Sequence, residues 1–122
     1  MKHYFLNSFL FLVLCSCMGI VGRDEVKAFM PGTYVRAFDN EFYKGMDTLE
    51  IEPLSENSYQ MRNHGSYQKQ GDEVMKHEEE VWTGIYKSED HLLYETRYGK
   101  VISFDPKNKV LYVGSSLYRK IE

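Results

Sequence analysis

Three histidines and a run of three glutamates are the residues best suited to hold a metal ion. His64, His77 and His91 carry imidazole nitrogens, and an acidic run at 78–80 (EEE) directly follows His77. Zinc sites usually pair their ligands at short spacing, for example two histidines one helical turn apart. His77-Glu78 begins such a pattern, but no second histidine stands four residues on. The spacing therefore predicts no metal site and no cofactor, and it predicts a solvated acidic strand edge instead.

Serines and carboxylates are the residues of the chain that could act as catalytic groups. Ser115 and Ser116 follow Gly114, yet the Gly-x-Ser-x-Gly turn that exposes a nucleophilic serine is missing. The chain has 18 acidic residues in 122, so carboxylate pairs arise by chance, and a small domain offers little cleft for a glycosidase. We therefore expect turn serines, no catalytic residue and a protein that is not an enzyme.

Aromatic residues are the more informative group. Tyrosine suits a pleated surface, and the predicted strands hold many aromatic rings that we expect mostly to fill a core. These are Tyr34, Phe38, Tyr59, Trp82, Tyr86, Tyr94, Phe104, Tyr112 and Tyr118. In the segment 81–86, alternation puts Val81 and Ile85 on one face and Trp82 and Tyr86 on the other. If the aliphatic face is inward, Trp82 and Tyr86 form an exposed patch, and they are the candidate binding residues.

The N-terminal segment predicts where the protein resides. Lys2 precedes an apolar run at 4–14 that is too short to span a bilayer as a helix and has the form of a secretory signal. Its end, LCSC at 14–17, resembles the lipobox of bacterial lipoproteins. That resemblance implies cleavage before Cys17 and a diacylglycerol on its thiol. Residues 1–16 would be the lipoprotein signal peptide and 17–28 the lipidated N-terminus and tether. An ordinary signal-peptidase site is the alternative.

Removal of the signal leaves an acidic domain. Loss of Lys2 reduces the 15 basic residues to 14 against 18 acidic ones, a net charge of -4. Nucleic-acid binding needs clustered Lys and Arg, so the composition argues against that class of partner. We expect an envelope protein held in the outer membrane by its lipid, with the periplasmic or surface face left open. Its other partner would be a protein or a glycan.

Alternating hydrophobicity beyond residue 29 predicts an all-β domain over 29–122. Short turns, including Asp105-Pro106-Lys107-Asn108, separate the runs and force antiparallel neighbours. We predict about eight strands, near 32–38, 47–53, 57–63, 81–87, 92–96, 100–104, 109–113 and 117–121, with 66–70 and 73–77 extending a hairpin. Such a meander closes as a small β-barrel or folds as a two-sheet sandwich, and the barrel is favoured because it removes exposed edges.

Two resemblances bear on this domain. The segment PGTY at 31–34 is similar to the Gly-x-Trp opening of lipocalin-like barrels, with Tyr in place of Trp. The stretches FMPGTYVR at 29–36, DTL at 47–49 and GKVISFDP at 99–106 resemble a group of small Bacteroidetes lipoproteins with no assigned chemistry. Some of that group accompany conjugative elements. The resemblance implies a lipoprotein and a fold, and no particular activity.

The functional expectation is a lipid-anchored, non-catalytic binding or accessory module that contacts a protein or a glycan. An acidic face of this kind can dock on a basic enzyme, so inhibition of a foreign hydrolase is one form of this function. Alternatives are a small-ligand carrier of the lipocalin type, which needs an interior cavity of roughly 300 Å³ or more, and an accessory lipoprotein of a conjugative element.

Overall fold

The computed structural model describes residues 24–122 as one closed antiparallel barrel of eight strands. Each strand pairs with its neighbours in chain order, and the last pairs back on the first. The strands are β1 (Gly32–Asp39), β2 (Tyr43–Pro53), β3 (Ser58–Lys69), β4 (Met75–Lys87), β5 (Leu92–Glu95), β6 (Val101–Asp105), β7 (Val110–Val113) and β8 (Ser116–Lys120). The predicted small barrel is confirmed, and the sandwich alternative is not what the chain forms.

The barrel is taller on one side than on the other. Strands β2, β3 and β4 have 11, 12 and 13 residues, whereas β5 to β8 have four or five. Since β5 pairs with β4 only from Gly84 to Lys87, the first half of β4 is a sheet edge. That edge carries KHEEE at 76–80, and charged side chains of this kind discourage pairing with another strand.

The connections between strands lie at two ends of the barrel, which we call the open end and the closed end. The open end has the turns at 40–42, 70–74, 96–100 and 114–115. The closed end has the turns at 54–57, 88–91 and 106–109, together with the C-terminus. Because β1 to β4 rise above the shorter strands, they form a wall beside the open end.

The apolar core fills the half of the barrel next to the closed end. Side chains on alternate positions of every strand point inward, as a pleated strand requires. Each large apolar side chain that is fully buried adds about 1.5–3 kcal/mol, which suits a domain with no cysteine among residues 24–122. The buried cluster consists of Met30, Tyr34, Leu49, Ile51, Tyr59, Met61, Trp82, Tyr86, Leu93, Ile102, Leu111 and Tyr118.

A short helix, α1 (Glu25–Phe29), covers the closed end. Asp24 caps it, accepting a hydrogen bond from the Lys27 amide at 3.0 Å, and Val26 and Phe29 pack against the core. Residues 24–28 were predicted to be tether but belong to the domain. Five residues are too few to show a helical period, so the Asp24 cap was the only available signal. The signal peptide, Cys17 and the rest of the predicted tether lie outside the described residues.

The predicted orientation of β4 is wrong. Trp82 and Tyr86 are 4% and 2% exposed, whereas Val81 and Ile85 are 47% and 39% exposed. The inward face of β4 also carries Gly84, where an added Cβ would lie 2.8 Å from the Met61 methyl. The two large rings flank this glycine and fill space that aliphatic side chains would leave empty. Trp82 and Tyr86 therefore do not form an exposed patch.

Candidate binding site at the open end of the barrel

The inward-facing side chains change from apolar to polar halfway along the barrel. Arg36 follows Tyr34 on the inner face of β1, Asp47 precedes Leu49 on β2, and Asn63 follows Met61 on β3. These polar residues surround a cavity of about 400 Å³ at the open end, which we call the polar cup. Its lining includes Arg36, Asp47, Asn63, Trp82, Lys100, Ser116 and Tyr118. A smaller recess of about 140 Å³ extends the cup to Gly65, Glu78 and Glu80.

Two polar contacts fix the walls of the cup. The Arg36 guanidinium (Nη1) lies 3.3 Å from the Asp47 carboxylate, and both side chains are partly exposed. The Trp82 indole donates a hydrogen bond from Nε1 to Glu80 Oε2 at 2.9 Å. Trp82 therefore has two roles: its ring closes the top of the apolar core, and its N–H orients a carboxylate of the cup.

Asn63 presents an acceptor that the fold does not use. Its Oδ1 is buried and, among residues 24–122, accepts no hydrogen bond. Leaving a buried acceptor unpaired costs about 1–3 kcal/mol. Asn63 lines both the cup and its recess, so a donor bound there would remove this cost.

Lys100 covers the Trp82 side of the cup. Its ammonium nitrogen lies 4.1 Å from the centre of the Trp82 ring, the geometry of a cation–π contact. The loop at 96–100 that carries Lys100 is held by the buried carboxylate of Glu95, which accepts from the backbone N–H groups of Arg97 and Tyr98 at 2.8 and 2.6 Å. The Glu95 amide in turn donates to the Lys100 carbonyl at 2.9 Å.

Tyr118 closes the cup on the β8 side and remains a neutral donor. Burial raises the pKa of its hydroxyl to about 12, and the negative charge of Asp47 acts in the same direction, while Arg36 opposes it. A tyrosine in this state donates a hydrogen bond without adding charge at neutral pH.

An aromatic shelf adjoins the cup on the taller wall. Phe38, Tyr43 and Tyr67 line a cavity of about 340 Å³ together with Arg36, which also lines the cup. Tyr43 and Tyr67 meet edge to face, with ring centres 5.8 Å apart. Gly45 lies beneath the shelf, and a Cβ there would come within 2.9 Å of the Phe38 ring. Arg36 thus joins an aromatic surface to a charged one.

A separate concavity of about 350 Å³ lies at the closed end, where Phe29, Lys109 and Lys120 are among its lining residues. Its main polar group already serves the fold, because the Lys120 ammonium donates to the Phe29 carbonyl at the end of α1. We therefore place the candidate site at the open end.

The structure separates the residues that the sequence had singled out. Trp82 lies in the cup, whereas Tyr86 points to the closed end and donates to Asp24 Oδ2 at 2.7 Å. His64 and His77 lie on the outer face of β3 and β4 with ring centres 6.0 Å apart, and His91 contacts Tyr86 at the closed end. Within residues 24–122, no group of three His, Cys, Asp or Glu side chains is placed to hold a metal.

Sequence reasoning missed Arg36, Asp47, Asn63 and Lys100. These residues come from four segments and meet only through the register of the strands, so their spacing in the chain carries no signal. Ser116, predicted to be a turn residue, is the first residue of β8 and lines the cup.

Comparisons with protein-family models, curated proteins and solved structures found no match to this chain. The fold itself is a small closed barrel of eight antiparallel strands, compatible with a lipocalin-like barrel. Among residues 24–122, no helix is long and apolar enough to cross a membrane.

Proposed function

We propose that this protein is a non-catalytic binding module of the bacterial cell envelope that contacts its partner through the open end of the barrel. The observation that carries the proposal is the change of the inward faces from apolar to polar, which leaves a concave polar surface above a filled core. Apolar side chains at these positions would extend the core, so the polar lining supports a binding role for this end.

The surface around the cup has the composition of a protein or glycan contact. Arg and Tyr are enriched at interface centres, and the cup and shelf supply both types. The tips of the taller wall add two exposed apolar side chains, Phe42 and Val74, at 68% and 60% exposure. A partner that covered the cup, the shelf and these tips would gain both apolar and charged contacts.

A carrier of small ligands is the second candidate. The cup volume of about 400 Å³ is within the range of small-molecule sites. Core side chains fill the half of the barrel next to the closed end. A carrier of this type would therefore hold a small polar ligand at the open end, and not an apolar ligand in the interior.

The envelope location rests on the N-terminal sequence, with its lipobox-like segment ending at Cys17 and its likeness to Bacteroidetes lipoproteins. With a lipid on Cys17, the seven residues 17–23 would reach at most roughly 25 Å to Asp24. Because Asp24 lies at the closed end, we infer that the open end faces away from the membrane. An inhibitor of a foreign hydrolase and an accessory lipoprotein of a conjugative element are both compatible with an open end that faces away from the membrane.

Pull-down from envelope extracts of the encoding bacterium tests the proposal. The full-length protein carries its tag at the C-terminus, which is at the closed end. A Phe42→Ser, Tyr43→Ser variant alters two exposed open-end residues, and Leu54→Ser, Ile121→Ser is the matched change of two exposed apolar residues at the closed end. We expect the first variant to lose the partner recovered by the wild type and the second to keep it. Equal recovery by all three proteins would contradict the proposal.

A further inference from the structure

We propose that the polar cup is a binding site for an alkylammonium group, the side chain of a lysine on a protein partner, and that Lys100 occupies this site in the free protein. The inference rests on the proposed function in one respect, since it assumes that the open end is the binding end. Beyond the proposed function, the new element is the chemical identity of the bound group, a primary ammonium.

The Trp82 ring gives the cup an aromatic wall that attracts cations. A cation within about 6 Å of an indole centre is attracted by the ring quadrupole, and the Lys100 nitrogen lies at 4.1 Å. The indole N–H is bonded to Glu80, so the ring is held in one orientation with its face toward the cup. The site already holds one ammonium group, supplied by its own chain.

The lining of the cup and its recess has more carboxylates than cations. Asp47, Glu78 and Glu80 contribute three carboxylates to the cup and its recess, against the cations Arg36 and Lys100. Arg36 is paired with Asp47. When the Lys100 side chain leaves, two carboxylates remain without a cation in the lining, and the cup favours a positive group.

Asn63 supplies a hydrogen-bond acceptor that the fold leaves unused. Asn63 Oδ1 is buried without a hydrogen bond among the described residues, and the Asn63 residue lines the same cavity as the carboxylates. An ammonium group brings three N–H donors and no acceptor. Its donors match the Asn63 oxygen and the two glutamates, whereas an anionic ligand would meet acceptors on this side of the cup.

The Lys100 side chain can leave the cup without a change in its backbone. It is exposed, in the loop at 96–100, and its backbone is fixed by Glu95, while its four-carbon side chain can swing into water with the loop in place. If the Lys100 side chain fills the cup about nine-tenths of the time, it lowers the apparent affinity for a competing amine by about tenfold.

Chemical complementation tests the inference. Trp82 is the only tryptophan of the chain, so tryptophan emission reports on the cup. Full-length Lys100→Ala protein is titrated with butylammonium chloride, which replaces the missing side chain, and with 1-butanol and sodium chloride as controls. We expect butylammonium alone to return the emission of the variant toward that of the wild type. Wild type and Lys107→Ala should need about ten times more amine.

A second arm tests whether the cup accepts a lysine side chain and whether it requires the positive charge. Nα-acetyl-lysine methylamide should give the same response in Lys100→Ala, and its Nε-acetylated form should give none. A response equal to that of butanol, or no response to either amine, would overturn the ammonium site. If that occurred while the open-end variant still lost its partner in the pull-down, the proposed function would stand with a different ligand chemistry.

Discussion

The ammonium group of Lys100 lies 4.1 Å above the Trp82 ring, and this pair marks the boundary between the two halves of the barrel. On the side of the closed end, the Trp82 ring is 4% exposed and belongs to the apolar core. On the side of the open end, the Lys100 ammonium, the Glu80 carboxylate and Asn63 line the polar cup. The Trp82 side chain thus completes the apolar core and also forms a wall of the polar cup, to which we assign binding.

Glu95 is expected to control the position of Lys100. Its buried carboxylate accepts from two backbone amides of the loop at 96–100, so Glu95→Ala leaves those donors unpaired and lowers the free energy of unfolding by about 1–3 kcal/mol. Release of the loop also shifts Trp82 emission. Urea denaturation and fluorescence measure the two effects. Glu89→Ala, in the exposed turn before β5, is the control, and an unshifted emission in Glu95→Ala would refute the link.

Tyr34 is expected to secure α1 through its hydroxyl. That group donates to the Met30 carbonyl at 2.9 Å and more weakly to the Phe29 carbonyl at 3.1 Å, and the Phe29 carbonyl also accepts from Lys120. Tyr34→Phe keeps the ring and removes the donor, so the free energy of unfolding falls by about 0.5–1.5 kcal/mol. Amide exchange should quicken in α1 first. Tyr59→Phe, in the same core, should leave α1 exchange as it was; equal acceleration in both variants would contradict the role.

Asp24 gives the stability a dependence on acid. Burial favours the neutral carboxyl, but hydrogen bonds from the Lys27 amide and the Tyr86 hydroxyl and the charge of His91 together lower its pKa below 3.8. The unfolded chain therefore takes up the proton first as the pH falls, and the stabilisation is lost below about pH 3.8. Wild type should exceed Asp24→Asn in stability at pH 7, by a margin that shrinks toward pH 2.

Denaturation of both proteins across this pH range measures the margin for Asp24. Glu41→Gln, an exposed carboxylate in the open-end turn, serves as the control substitution. A margin that stays constant between pH 7 and pH 2 would show that the Asp24 charge does not stabilise the fold.

Tyr118 gives a corresponding dependence on alkali. Its pKa is raised from 10.0 to about 12, by burial first and by the Asp47 charge second. Between these values the unfolded chain loses the phenolic proton while the folded chain keeps it, so the free energy of unfolding falls as the pH rises. Tyr118→Phe should reduce the steepness of this fall. Parallel curves for the two proteins between pH 10 and pH 12 would argue against the shift.

The strands were predictable because their cause is local. Alternation and turn chemistry act over a few residues, and Asp105 shows this: its carboxylate accepts from the Asn108 amide at 3.3 Å in the turn that the sequence predicted. With eight strands joined by short turns, closure followed from the need to cover edges.

The orientation of β4 was not predictable, because both faces of 81–86 are apolar. Alternation shows that Val81 and Trp82 lie on opposite faces but does not show which is inward. The choice depends on neighbours from other strands, such as Met61 and Leu93, whose side chains pack against Gly84. The polar cup was not predictable for the same reason. Arg36, Asp47 and Asn63 lie on three different strands, and only the register of those strands shows that they are neighbours.

Site-specific photo-crosslinking in living cells tests the central claim most directly. A benzophenone amino acid replaces Phe42 or Tyr98 at the open end, or Leu54 at the closed end; these three side chains are similarly exposed, at 68%, 57% and 58%. We predict that both open-end positions form a covalent adduct with the same partner and that position 54 forms none with it. An adduct to that partner from position 54, or no adduct from either open-end position, would contradict the account.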